Sequence, residues 1–188
     1  MALVPEPPPM ILPQIQIARA HWILGALFLA IVLDEYLPLV GGDGRGVRSR
    51  SLVVPCALIV GAGGVWATVV FADVVHDMLV HFLWGDILFA AGSLELARRR
   101  GVYDRPWLDN VLPVAWLSCG VLFLVHVAID PSGQGAKWHL AMGILLIFAG
   151  AFDLARVRFR RAPVIPLALV PLAAFALALI AIPVAAAS

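Results

Sequence analysis

Long apolar runs alternate along this chain with short polar breaks. Six runs stand out, at about 18–40, 52–75, 78–97, 108–129, 138–155 and 164–185. A bilayer core takes about 20 apolar residues per helix, so the pattern predicts six transmembrane helices. The apolar stretch from Leu52 to Ala97 is too long for one span, which predicts a tight turn near Asp73–Asp77. The breaks at 41–50 (GGDGRGVRSR), 97–106 (ARRRGVYDRP), 130–135 (DPSGQG) and 156–163 (RVRFRRAP) read as loops.

The polar positions inside the runs repeat. The pattern H-x3-G-x9-[DE] occurs three times: His21, Gly25 and Glu35; His81, Gly85 and Glu95; His139, Gly143 and Asp153. The histidines are 60 and 58 residues apart, and two copies share a further glycine, Gly92 and Gly150. At about 100° per residue, offsets of about 4, 11 and 14 return to one helix face. Each set therefore forms a stripe. Small residues mark close helix approach in lipid, and polar groups turn away from it, so the stripes are expected to face the bundle interior. The repeat implies three helical hairpins, related by an axis along the membrane normal. The sixth helix carries neither His nor acid.

Composition sharpens this picture. Of 188 residues, 62% are hydrophobic, as in an all-α polytopic membrane protein. A net charge of +1 gives no basis for nucleic-acid binding. Eleven of the thirteen basic residues fall after helices one, three and five. The positive-inside rule makes those loops cytoplasmic and both termini external. The expected location is the inner membrane of a bacterium, crossed several times, with periplasmic termini and the lipid bilayer as surroundings. Residues 1–17 are Pro-rich and read as an extended arm; no signal peptide is read there. Residues 18–188 form a single domain. Cys56 and Cys119 lie in apolar runs and are expected to be buried and inert. No Ser/His/Asp triad, phosphate loop or nucleotide fingerprint occurs.

In that orientation every histidine lies near the outer surface. His21, His81 and His139 start inward-going helices; His76 and His126 lie near the ends of helices two and four. Asp73, Asp77 and Asp130 lie at the same level. These eight residues are the candidate metal ligands. Imidazole suits copper, zinc, iron and nickel, often with a carboxylate. Asp77 with His81, Asp73 with Asp77, and His126 with Asp130 are one helical turn apart, in reach as ligand or orienting pairs. Copper is the first expectation and zinc the next. The spacing His126-x12-His139 resembles the second half of D-x3-H-x12-H in the C subunit of the particulate methane and ammonia monooxygenases. The aspartate position there is Leu122 here, and no activity follows from the resemblance.

A b-type haem is the competing cofactor, held by His81 and His139 or by His76 and His126. Gly85 and Gly143 would then leave room for the macrocycle. A third expectation is a small structural subunit among other membrane-protein subunits. Asp86 lies within the third span, about 140° round from the His81 stripe, and is expected to face helix two or four. Glu95 with Arg98 and Arg99, and Asp153 with Arg156, are expected to be ion pairs with snorkelling arginines. Trp22, Trp84, Trp107, Trp116 and Trp138 read as interfacial anchors.

Overall fold

A computed structural model describes residues 11–40, 51–69, 75–131, 135–159 and 165–185. Among them there are six α-helices and no strand: α1 (Ile11–Val40), α2 (Val53–Val69), α3 (Val75–Arg99), α4 (Val111–Ile129), α5 (Ala136–Phe159) and α6 (Ile165–Ala185). A short 3₁₀ turn, Pro106–Asn110, leads into α4. The segments Val75–Arg99, Pro106–Ile129 and Ala136–Phe159 are long and apolar enough to cross a membrane. α1 starts at Ile11, inside the stretch read from sequence as an arm.

Helix α3 shows how local chemistry sets the ends. Asp77 sits in its first turn and Arg98 and Arg99 in its last, matching the helix dipole at both termini. Gly101 then takes a left-handed φ of 68°. Its N–H donates to the Arg98 carbonyl and that of Val102 to the Ala97 carbonyl, both at 3.0 Å. This pairing is a Schellman stop. The start corrects one expectation. His76 belongs to the first turn of α3, not to the end of helix two, and Asp77 is inside the helix rather than in a turn.

The helices form a closed ring in chain order, with α6 returning to α1. The closest pairs are α2 with α3, α4 with α5 and α6 with α1. Packing is thus one helix out of phase with the hairpins that the repeat implies. The glycine stripes explain this. A Cβ at Gly92 would meet the Pro55 carbonyl at 3.0 Å, and one at Gly150 the Pro113 carbonyl at 2.8 Å. A Cβ at Gly25 would meet the Ala176 carbonyl of α6 at 2.8 Å. Each stripe therefore docks on the preceding helix, α1 doing so across the ring closure. The even helices carry a matching signal: Pro55, Pro113 and Pro171 are 58 residues apart, each followed two residues later by alanine.

Gly150 gives a direct test of this packing. Backbone atoms of α4 oppose it, the Leu117 nitrogen at 2.9 Å as well as the Pro113 carbonyl, and they cannot turn aside as a side chain can. Gly150→Ala is expected to destabilise the bundle by about 1–3 kcal/mol, the usual cost of overpacking. Gly63→Ala, with nothing within 4 Å of its would-be Cβ, should be close to neutral. Unfolding of both variants in mixed micelles checks this; equal stability would contradict it.

Along the ring axis the interior is layered. The histidines lie at the α3 N-terminal end. Below them comes an aromatic layer. Trp84 packs on Phe123 at 4.0 Å between ring centroids, and Phe28 meets Phe175 at 4.9 Å and Trp116 at 5.5 Å. Trp84 and Trp116 are buried, so they are core residues rather than interfacial anchors. Trp22, Trp107 and Trp138 are exposed. Cys119 is buried, but Cys56 is exposed on α2, contrary to expectation, and the two are not paired.

Acids and arginines fill the far end. Glu95 is buried and pairs with Arg98 and with Arg99, the latter at 2.7 Å. Arg99 also reaches Glu35 at 3.0 Å, Asp34 at 3.4 Å and the Ser51 carbonyl at 2.5 Å. Its side chain is only 2% exposed, so it is a buried tie between α3 and α1, not a snorkelling group. Asp153 pairs with Arg156 at 2.5 Å as expected.

Candidate metal centre

The antiparallel run of neighbouring helices sets the N-terminus of α3 beside the C-terminus of α4. His76 and Asp77 come from the first, His126 from the second. The Asp77 Oδ1 atom lies 2.9 Å from His76 Nε2 and 3.3 Å from His126 Nδ1. These are hydrogen-bond distances, but the angles are not those of hydrogen bonds. All three atoms are buried and none has a hydrogen-bond partner. Buried polar atoms are rarely left so. The three ligand atoms lie within 4.8 Å of one another, the one such group among the described residues.

The spacing suits a shared ion. Bonds of about 2.0–2.1 Å to a tetrahedral centre put ligand atoms about 3.3 Å apart. Two imidazole nitrogens and one carboxylate oxygen make a donor set for a transition metal. Three protein ligands leave at least one coordination position for water or a further donor.

The other histidines stand around this group. His81 Nδ1 lies 2.7 Å from the Asp77 carbonyl oxygen. A carbonyl only accepts, so Nδ1 carries the proton and Nε2 keeps its lone pair. That is the tautomer of a ligand or base, and the bond also braces the backbone at Asp77. The His126 ring is the hub: its centroid is 4.9 Å from His139, 5.7 Å from His76 and 6.4 Å from His81. His139 is in turn within electrostatic reach of His21. All five histidines of the chain therefore gather at one end of the bundle.

Of the eight candidate ligands, three converge to ligand spacing. His21, His81 and His139 form a surrounding shell. Asp130 ends α4, its N–H donating to the His126 carbonyl at 3.1 Å. Asp73 lies outside the described residues. The space expected for a haem is taken by packing: a Cβ at Gly85 would meet the Trp66 Nε1 at 2.1 Å, and one at Gly143 the Phe123 Cβ at 2.9 Å. Asp86 is exposed, about 100° round α3 from Gly85, which packs against Trp66 of α2. Sequence spacing could not find the pairing of Asp77 with His126, because the two lie on different helices and share no periodicity.

No protein-family model, curated protein or solved structure matches the chain.

Proposed function

We propose that this chain is a multi-pass membrane protein that holds one transition-metal ion through His76, Asp77 and His126. The observation that carries this is the convergence of three buried ligand atoms with no hydrogen bonds among them. The metal we propose is copper. The donor set contains no thiolate, and affinity for nitrogen and oxygen ligands peaks at Cu²⁺ in the divalent series. A bare ion is preferred to haem because Trp66 and Phe123 occupy the glycine clefts. The charge distribution supports an external face for the site, since the basic loops follow α1, α3 and α5 while the histidines lie at the other helix ends. The role is metal handling at the outer surface, or service as the metal-bearing accessory subunit of a larger membrane complex.

Electron paramagnetic resonance on the copper-loaded protein tests the ligand set. It should show hyperfine structure from two nitrogens, reduced to that of one in His126→Ala. A membrane-impermeant chelator added to right-side-out vesicles tests the face, and should strip the metal without detergent. A spectrum indifferent to His126, or a metal released only after solubilisation, would contradict the proposal.

A further inference from the structure

Asp86 is used by neither the metal site nor the ion-pair end. Asp86 sits 11 residues after Val75 in the 25-residue α3. At about 1.5 Å per residue that is roughly 16 Å from the helix start, near mid-span. It is exposed, on the side of α3 away from His81 and the buried glycine stripe, and makes no hydrogen bond or ion pair with any described residue. In a spanning α3, that side chain meets hydrocarbon. A carboxylate facing lipid is costly, and such groups in membrane proteins almost always find a partner.

The surface around it suits a helix. Leu79, Phe82, Leu83, Phe89 and Ala90 are exposed on the same face, and Ser93 and Ala97 continue it as a small-residue track. Small residues let a second backbone approach closely. We infer that this face of α3 docks a transmembrane helix of a different protein, one that carries a lysine or arginine at mid-membrane depth to pair with Asp86. Charge decides against a second copy of this chain. Of the exposed basic residues among those described, Arg100, Arg105, Lys137 and Arg158 lie at or beyond helix ends, and Arg19 lies two residues before His21, at the histidine level rather than at mid-span. Two copies meeting here would bring two carboxylates together with no cation between them. This partner is the larger complex in which an accessory subunit would sit, but the inference needs only a spanning α3, not a loaded metal centre.

The test uses the full chain in lipid vesicles, recovered by flotation, and three synthetic polyleucine transmembrane peptides: unmodified, with one central lysine, and with one central glutamate. Association is read by energy transfer. The lysine peptide should bind the wild-type protein on the order of tenfold more tightly than the other two, as one interhelical polar contact allows. That preference should vanish in Asp86→Leu and survive in His126→Ala, which empties the metal site alone. Asp86 is exposed and makes no hydrogen bond or ion pair with a described residue, so Asp86→Leu should insert and fold. Equal binding of the three peptides, or a lysine preference that persists in Asp86→Leu, would overturn the inference. So would Asp86-dependent pairing of the protein with itself, or failure to float with the vesicles; a wild-type protein that binds no metal yet keeps the lysine preference would count only against the metal site.

Discussion

His126→Ala is expected to weaken metal binding by at least about 100-fold. Loss of a mere orienting partner beyond the ligands typically costs about 10–100-fold, and His126 is itself one of three converging donors. It is also the hub ring, lying beside His76, His81 and His139. His81→Ala should act differently. It removes the brace on the Asp77 carbonyl, so a smaller loss, about tenfold, is expected. Titration with Cu²⁺ against a competing chelator separates the two. Equal small losses would mean that the imidazoles are packing groups and not ligands.

Arg99→Ala is expected to be the most destabilising single change away from the metal site, by about 3–5 kcal/mol. The guanidinium is almost wholly buried and contacts Glu95, Glu35 and Asp34. Removing one member of a buried ionic set leaves the others uncompensated, which costs more than the pair contributes when intact. Two of those carboxylates belong to α1, so the loss also unties α1 from α3. Arg98→Ala should cost less, because Arg98 meets Glu95 within its own helix and only distantly, at 3.9 Å, meets Asp109. Unfolding in mixed micelles measures both, and a metal titration run alongside should show binding little changed in either.

Much of the fold was legible from the chain because helix periodicity is a local property. Six apolar runs gave six helices, and the stripe through His81, Gly85, Gly92 and Glu95 is buried at both glycines and at the acid. Boundaries were less legible. The apolar run continues through residues 70–75, so only the first-turn preference of Asp77 could have moved His76 into α3. The relations between helices were least legible. Nothing in the spacing says that Asp77 meets His126, that Arg99 crosses to Glu35, or that Asp86 faces outward, since each depends on how one helix is rotated against the next. The 58-residue spacing of Pro55, Pro113 and Pro171 was available in the sequence, and would have pointed to docking of each glycine stripe on the preceding helix.

The central claim is that His76, Asp77 and His126 share one metal ion. Its most direct test is metal content by mass spectrometry on gently purified native protein, beside a His76→Ala/His126→Ala variant shown to fold by circular dichroism. About one copper per chain in the native protein and none in the variant is the predicted result. The same metal content in both, or none in either, would contradict it.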